Sequence, residues 1–245
     1  MADSVLRLAM WSGPRNISTA MMRSFENRPD TAVVDEPLYA HFLHHTGIDH
    51  PGAAEVIAAD ETDWHAVTAR LLGRVPGDKP IYYQKHMGQH LLPHINRAWI
   101  ASLTNCFLIR DPREVITSFI KVVERPTAEE LGLPQQLELF EAERARTGRT
   151  PPVIDSRDVL ENPRGVLSNL CDALGIPFDE AMLAWPPGPR DTDGVWAPYW
   201  YDSVHKSTGF GTYTPKPDPV PDDLQEVYET CRRCYESLAP HRIRA

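Results

Sequence analysis

A turn between a predicted strand and a predicted helix carries the first residues that could do chemistry. It reads PRNIST, residues 14–19, and follows the apolar run Leu6–Trp11. A helix N-terminus presents free backbone N–H groups and the positive end of the helix dipole, so it can bind an anion. Ser18 and Thr19 add hydroxyl groups, and Arg15 adds a guanidinium group that fits a phosphate or a sulfate. The turn is therefore interpreted as an anion site or, more simply, as a capped helix with Arg15 on the surface.

A second cationic turn, residues 107–119, ends another predicted strand and begins another predicted helix. In the segment FLIRDPREVITSF, Arg110 closes the strand and Ser118 lies about two helical turns further along the chain. Both turns follow the carboxyl end of a predicted strand. We therefore expect Arg15 and Arg110 to face the same side of the sheet, where they could hold two ends of one ligand.

Together the two turns resemble the sulfotransferases that use 3′-phosphoadenosine 5′-phosphosulfate (PAPS). In that family a loop P-[KR]-S-G-[ST]-T binds the 5′-phosphosulfate, and a segment R-[ND]-P-x-(x)4-S binds the 3′-phosphate. Residues 14–19 resemble the first pattern, and residues 110–118, RDPREVITS, match the second with its full spacing. Similar likenesses lie at DEPLYAHF (35–42), YQKHMGQHL (83–91) and the segment 153–178. The resemblance implies a P-loop NTPase-like fold and PAPS as the sulfuryl donor.

The resemblance also implies which residues bind PAPS. They are Arg15, Asn16, Ile17, Ser18 and Thr19 on the 5′ side, Arg110 and Ser118 at the 3′-phosphate, and Lys206 in a late loop as a further phosphate contact. Arg15 would neutralise the bridging oxygen as its bond to sulfur breaks, and no metal is required. One departure stands out, because Asn16-Ile17 replace the usual Ser-Gly and a β-branched residue disfavours positive φ. We expect either a turn of a different shape, or binding of PAPS that is altered or lost.

An acceptor hydroxyl must lose a proton during transfer, and two residues could take it. Glu36, at the end of the second predicted strand, is the first candidate for the general base, as in carbohydrate-type members of the family. His86 is the second candidate, and Lys85 could assist Arg15 at the bridging oxygen. The simpler interpretations are an ion pair for Glu36 and a structural role for His86.

Alternating strands and helices must position these residues. The strands are predicted at Leu6–Trp11, Ala32–Asp35, Ile81–Lys85, Asn105–Ile109 and Pro152–Asp155. The helices are predicted at Ser18–Asn27, Asp63–Val75, Pro112–Glu124, Gln135–Thr147, Asn162–Gly175 and Pro221–Ala239. The strands lack clean alternation of apolar and polar residues, which is typical of parallel strands buried on both faces. The pattern predicts one α/β domain over residues 1–245, a three-layer sandwich around a mainly parallel sheet.

Two further segments could serve a site. Residues 185–220 form a long loop rich in proline and aromatic residues, which could line a binding site or simply pack on the body of the protein. Trp200 or Tyr201 in this loop could stack on adenine or a sugar. His41, His44 and His45 would share one face of a helix, but a metal site needs further ligands. The family resemblance implies no metal, so we expect none.

Composition narrows the possible functions. The 245 residues carry a net charge of −9, which argues against nucleic-acid binding, because that requires concentrated Lys and Arg. No apolar run is long enough to span a bilayer, no secretory signal is evident, and the 4 cysteines suggest no disulfide framework. We expect a cytoplasmic protein that acts on a small molecule. The oligomeric state cannot be read from the sequence.

Three functions remain open on this sequence. The favoured one is a PAPS-dependent sulfotransferase that acts on a hydroxyl of a sugar, a lipid headgroup or another alcohol. A second is a sulfotransferase-like nucleotide-binding protein without transferase activity. A third is a related phosphotransferase, although the GxxxxGK[ST] pattern of kinases and ATPases is absent.

Overall fold

A five-stranded parallel sheet organises the protein. The computed structural model describes residues 5–245. The strands are β1 (Leu6–Ser12), β2 (Thr31–Asp35), β3 (Ile81–Met87), β4 (Thr104–Ile109) and β5 (Val153–Asp155). Their order across the sheet is β2-β3-β1-β4-β5, and every neighbouring pair is parallel. All five predicted strands are confirmed, with bounds that differ by at most 2 residues.

The register of the sheet brings the carboxyl ends of the central strands together. Ser12 at the end of β1 pairs with Met87 of β3, and Asp35 at the end of β2 pairs with Lys85 of β3. The turns that follow these strands therefore open at one edge of the sheet. In open α/β sheets, ligands bind at this edge.

Helices connect the strands. They are α1 (Ser18–Glu26), α2 (Tyr39–Thr46), α3 (Ala53–Ala59), α4 (Trp64–Leu72), α5 (Pro112–Phe119), α6 (Leu133–Thr147), α7 (Ser156–Glu161), α8 (Pro163–Leu174), α9 (Ala197–Trp200), α10 (Asp202–His205) and α11 (Gln225–Leu238). The six predicted helices correspond to α1, α4, α5, α6, α8 and α11. The prediction for α5 was too long by five residues, since it ends at Phe119 rather than Glu124. Within residues 5–245, no helix is both long and apolar enough to cross a membrane.

The core forms two layers, one on each face of the sheet. Successive side chains of a strand point to opposite faces, and β1 follows this rule. Leu8 and Met10 pack in one buried cluster with Phe25 of α1 and Leu170 of α8. Their neighbour Trp11 packs in the other cluster, which includes residues of α4, α5, α6 and α11. The three-layer α/β sandwich with a parallel central sheet is therefore confirmed.

The aromatic segment 185–220 packs partly on the body of the protein. It contains the short helices α9 and α10. Trp196 and Tyr201 are buried in a third apolar cluster with Tyr39 and Phe42 of α2. Part of this segment therefore anchors the loop, as the simpler interpretation proposed.

Candidate active site

An open cleft of about 450 Å³ lies at the carboxyl edge of the sheet. Its volume falls in the range usual for small-molecule sites. Most of the predicted site residues line it, namely Arg15, Asn16, Ile17, Ser18, Thr19, Glu36, Lys85, Arg110 and Ser118. The aromatic segment closes another side with Trp196, Trp200, Tyr201 and Phe210. His86 and Lys206 are not among the residues that line the cleft.

The turn after β1 accommodates Ile17 without strain. Ile17 has a φ of −90°, whereas the residue in the left-handed region is Arg15, with a φ of 53°. The side chain of Asn16 holds the turn, because its Nδ2 donates to the Leu108 carbonyl at 3.0 Å and its Oδ1 accepts from Ile17 N at 2.9 Å. The positive φ of this turn therefore falls on Arg15 and not on the β-branched residue.

The first turn of α1 is open to an anion. Ile17 occupies the N-cap position and offers no side-chain acceptor to the first backbone N–H groups of the helix. Ser18 and Thr19, in that first turn, line the cleft. Backbone N–H groups without a capping side chain at a helix N-terminus are suited to bind a phosphate or a sulfate.

The two cationic turns meet in the cleft. Arg15 Nε donates to Ser118 Oγ at 3.0 Å, and Arg110 Nη1 donates to the Arg15 carbonyl at 2.8 Å. Arg110 is also held by Glu114, whose Oε2 accepts from Nε and Nη2 at 3.0 and 2.8 Å. Arg15 and Arg110 thus line one cleft on the same side of the sheet, as the sequence led us to expect.

A third cation, Lys216, completes this end of the cleft. Burial lowers the pKa of Lys216, and the neighbouring charge of Arg110 lowers it further. Burial and Arg110 lower the pKa of Arg15 in the same way. The contribution of Arg110 to both shifts is repulsion between positive charges, which a bound anion would relieve. Sequence reasoning missed Lys216, which lies between two prolines in a segment without a motif.

Lys206, predicted to contact a phosphate, lies elsewhere. Its Nζ is 2.8 Å from a carboxylate oxygen of Asp202, and its side chain is exposed. The two residues are one helical turn apart, a spacing that favours a local ion pair over a contact with the cleft. This geometry points to Lys216, not Lys206, as the late basic residue of the site.

A buried charge cluster lies where β2 and β3 end. Lys85 Nζ donates to Asp35 Oδ1 at 2.8 Å, to the Tyr201 hydroxyl at 2.9 Å and to a carboxylate oxygen of Glu36. The Tyr201 hydroxyl donates in turn to Asp35 Oδ2 at 2.6 Å. An ammonium group has three protons, and three protein acceptors surround this one. Lys85 is therefore arranged to hold Glu36 rather than to reach toward Arg15.

Glu36 has the properties of a proton acceptor. Burial raises the pKa of its carboxyl group and Asp35 adds repulsion, while Lys85 opposes both. The two carboxylates outweigh burial at Lys85 and hold its pKa well above the ordinary value, so Lys85 is charged at neutral pH. Glu36 also adopts a φ of 38°, a region that non-glycine residues rarely enter. Local strain of this kind is concentrated at functional sites.

Two histidines near the end of β3, His86 and His90, have different surroundings. The ring of His86 stacks on Trp11 with centroids 4.4 Å apart, and its Nε2 lies 3.1 Å from Gln84 Oε1. Burial lowers the pKa of His86 to about 3. His86 thus occupies the core, as its structural interpretation held, and it does not line the cleft as a base would.

His90, which sequence reasoning did not single out, lines the cleft beside Glu36. Its Nδ1 lies 3.9 Å from Glu36 Oε2 and has no hydrogen-bond partner among the described residues. Burial, with repulsion from His50 and Lys85, lowers the pKa of His90 well below the ordinary value. A neutral imidazole therefore places a buried, unused nitrogen close to the Glu36 carboxylate.

Aromatic rings form the wall around this end of the cleft. The ring of Tyr39 is parallel to that of His90, with centroids 4.7 Å apart, and Trp196 meets the Tyr39 ring edge-on. Trp196 Nε1 donates to the Tyr201 hydroxyl at 3.2 Å. Trp200 Nε1 is buried and has no partner within residues 5–245. Flat apolar walls with a few free polar groups suit a small organic molecule.

Comparison with known proteins assigns a family to this arrangement. The model of the sulfotransferase domain family matches residues 6–236. Similar solved structures include a sulfotransferase from Alicyclobacillus acidocaldarius, with a TM-score of 0.56 at 11% identity, covering 98% of both chains. Another is the sulfotransferase domain from the curacin biosynthetic pathway, with a TM-score of 0.55 at 17% identity, covering 94% of this chain and 98% of that one. At such identities these structures support the fold alone.

Two curated relatives from Arabidopsis thaliana carry a different kind of name. They are branched-chain-amino-acid aminotransferase-like proteins 1 and 2, which are 38% and 36% identical to this chain over 231 and 232 residues. The match covers 94% of this chain but 41% of each relative. The chain thus spans about two fifths of the relatives' length.

Proposed function

Because the chain belongs to the sulfotransferase family, we propose that it transfers a sulfuryl group from PAPS to a hydroxyl group of a small acceptor. The acceptor would be a sugar, a lipid headgroup or another alcohol. The observation that carries this proposal is the layout of one cleft. Arg15, Arg110 and Lys216 are neighbouring cations that line it, and the Glu36–Lys85 ion pair lines it as well.

The cationic part of the cleft would bind the two phosphate positions of PAPS. The first turn of α1, with Ser18 and Thr19, would hold the 5′-phosphosulfate, and Arg15 would neutralise the bridging oxygen. Arg110 and Ser118 would hold the 3′-phosphate, and Lys216 would add a third charge. Two separated phosphates need two cationic groups. The hydrogen bond from Arg110 to the Arg15 carbonyl fixes the two turns relative to each other.

Transfer requires one bond to form and one to break. The acceptor oxygen bonds to sulfur, the bond between sulfur and the bridging oxygen breaks, and adenosine 3′,5′-bisphosphate leaves. The acceptor proton passes to Glu36, whose raised pKa suits a base at neutral pH. Positioning and charge stabilisation supply most of the rate enhancement in comparable phosphoryl transfers.

Lys85 and His90 would support the base without taking its place. Lys85 fixes the Glu36 carboxylate and is itself fixed by Asp35 and Tyr201. The free Nδ1 of His90 would contact the acceptor hydroxyl as it approaches Glu36. In this arrangement Lys85 is a positioning residue, while Glu36 and His90 contact the substrate.

The two other functions make different demands on this cleft. A phosphotransferase needs a lysine at the outer phosphates and a metal-binding hydroxyl, and the turn after β1 has no lysine. A nucleotide-binding protein without activity would retain the cationic cluster, but it would have no need for a carboxylate with a raised pKa in the same cleft.

The test is calorimetry with adenosine 3′,5′-bisphosphate and with adenosine 5′-monophosphate, which lacks the 3′-phosphate. We expect the bisphosphate to bind at least tenfold more tightly, without Mg²⁺. Arg110→Ala should abolish that preference, and Arg113→Ala, a nearby arginine outside the cleft lining, should retain it. Folded protein that binds neither nucleotide, or that binds only ATP with Mg²⁺, would contradict the proposal.

A further inference from the structure

Three imidazoles form a cluster outside the cleft. His41 and His45 lie one turn apart on α2, and His94 follows the 3₁₀ turn Gly88–His90. One ring nitrogen of each lies within 4.8 Å of the others. His41 is buried, and the other two side chains are exposed. The proposed sulfuryl transfer uses none of them.

Backbone carbonyls fix the orientation of two rings. The Nδ1 of His41 lies 2.7 Å from the Thr62 carbonyl, and the Nδ1 of His45 lies 3.2 Å from the His41 carbonyl. A carbonyl only accepts hydrogen bonds, so each of these Nδ1 atoms carries the proton. In the neutral rings Nε2 then holds the free lone pair. Histidines that bind metals in proteins are commonly oriented in this way, because the ring nitrogen that does not bind the metal donates a hydrogen bond to a carbonyl or a carboxylate.

The ring nitrogens converge. Nε2 of His41 lies 2.9 Å from Nε2 of His94, and because His41 Nε2 holds the lone pair, His94 donates this hydrogen bond and would give up that proton when a metal binds. The rings of His45 and His94 have centroids 4.9 Å apart. Nitrogens bound at about 2.1 Å to one tetrahedral zinc ion are roughly 3.4 Å apart. Opening the His41–His94 pair by about 0.5 Å would therefore admit an ion. The exposed His94 side chain can make that movement.

We propose that His41, His45 and His94 bind a divalent first-row transition metal ion, best Zn²⁺, through three imidazole nitrogens with a fourth position open to solvent. Three neutral nitrogen ligands suit zinc, copper, nickel and cobalt, and they do not suit magnesium or calcium. The sequence alone offered only the histidines of one helix, and the fold supplies His94 from a distant segment.

The ion would join two segments that also line the cleft. Tyr39 begins α2, and His90 lies four residues before His94. A metal linking α2 to the segment after β3 would hold the stacked rings of Tyr39 and His90 together. The proposal does not depend on the sulfuryl transfer, because the metal lies outside the cleft.

Calorimetry with ZnCl₂ on chelator-treated protein tests the site. We expect one ion per chain, and a binding constant that falls at least tenfold in both His45→Ala and His94→Ala. His44→Ala, which removes an exposed histidine from the same helix, should bind zinc as the unchanged protein does. The replaced side chains are exposed, so thermal unfolding in chelator should be the same for all variants.

Cobalt supplies a second measurement that does not depend on affinity alone. Co²⁺ in a nitrogen-rich tetrahedral site should give strong visible absorption that His94→Ala removes and His44→Ala retains. The proposal would be overturned by a protein that binds no zinc at micromolar concentrations. It would also be overturned if His44→Ala weakened binding as much as His94→Ala did.

Discussion

The ammonium group of Lys85 lies between the carboxylates of Asp35 and Glu36. The hydroxyl of Tyr201, from the aromatic segment, contacts both Lys85 and Asp35. The arrangement leaves the group with more negative than positive charge when both carboxylates are ionised. Together with burial, this raises the pKa of Glu36. The residue that gains proton affinity is the one facing the cleft.

Replacing Glu36 by Gln should lower kcat by a factor of about 10² to 10⁴, which is the usual contribution of a general base. Affinity for adenosine 3′,5′-bisphosphate should stay within about threefold, since the cationic part of the cleft is unchanged. Steady-state turnover of PAPS, with an alcohol found by screening for release of the bisphosphate, would measure this. Equal loss of nucleotide affinity and turnover would instead indicate a role in folding or binding.

The pH dependence follows from the direction of the Glu36 shift. A base must be deprotonated to act, so kcat/KM should rise with pH through the pKa of Glu36. Because that pKa is raised, the acidic limb should lie above 4.5, the ordinary value for glutamate. A pH series of kcat/KM checks this, and a limb at or below 4.5 would argue against Glu36 as the base.

Lys206 and Lys216 follow one another closely in sequence, so their alanine variants are a matched comparison for the nucleotide site. Lys216→Ala removes a positive charge from the cleft, so we expect adenosine bisphosphate to bind roughly tenfold more weakly at low salt, where such charges are least screened. Lys206→Ala removes an exposed lysine paired with Asp202 and should bind the nucleotide normally. Calorimetric titration of both variants distinguishes the two, and the reverse ranking would restore Lys206 to the site.

At the scale of elements, the strand-to-helix turns were predictable because their signals are local. Apolar runs indicated every strand, and Asn162, Pro163 and Gly175 marked both ends of α8, where Asn162 Oδ1 accepts from Gly165 N at 3.0 Å. Beyond α5, Val122 continued the apolar pattern but is 46% exposed, so it adds nothing to the buried face that would extend the helix.

Two of the missed helices, α2 and α3, are too short to give a clear periodic signal. Their apolar residues at i, i+3 and i+4 cover little more than one turn each, whereas helical periodicity is recognised over about 11 to 18 residues; they are Tyr39, Phe42 and Leu43 in α2, and Ala53, Val56 and Ile57 in α3. Their existence depends on packing against the aromatic segment. Contacts of this kind cannot be read from one stretch of sequence.

The turn after β1 also depends on a close approach between elements. A Cβ added at Gly13 would lie 2.3 Å from the Leu131 carbonyl oxygen, a backbone atom that cannot move aside easily. Gly13→Ala should therefore destabilise the fold by about 1–3 kcal/mol, as overpacking does. Gly211→Ala, where a Cβ would meet nothing within 4 Å, is the control. Urea unfolding of both variants would test this, and equal stabilities would contradict the contact.

At the scale of the whole molecule, strand order decides which residues meet. Asp35 and Lys85 are neighbours because β2 pairs with β3 although three helices separate them in sequence. The sequence predicted which residues lie at the carboxyl ends of strands. It did not predict which of them are in contact, because that depends on the order of the strands in the sheet. His86 shows the limit of the prediction. The sequence made it a candidate base, but the direction of its side chain places it in the core, and the cleft is lined by His90 instead.

The net charge of the whole chain differs in sign from the local charge at the cationic turns. The protein carries −9, yet three cations gather at one end of a single cleft. The overall charge argued against a broad nucleic-acid surface but did not bear on a local anion site, because the fold decides where the charged residues lie. The proposed function therefore depends on placement, because the two cationic turns would have to bind the two phosphate positions of one nucleotide.

A crystal structure of the protein with adenosine 3′,5′-bisphosphate tests that placement most directly. We expect the 5′-phosphate against the first turn of α1 and Arg15, and the 3′-phosphate against Arg110 and Ser118, with Glu36 facing the vacated sulfate position. A nucleotide bound with only one phosphate in this cleft, or bound elsewhere on the molecule, would contradict it.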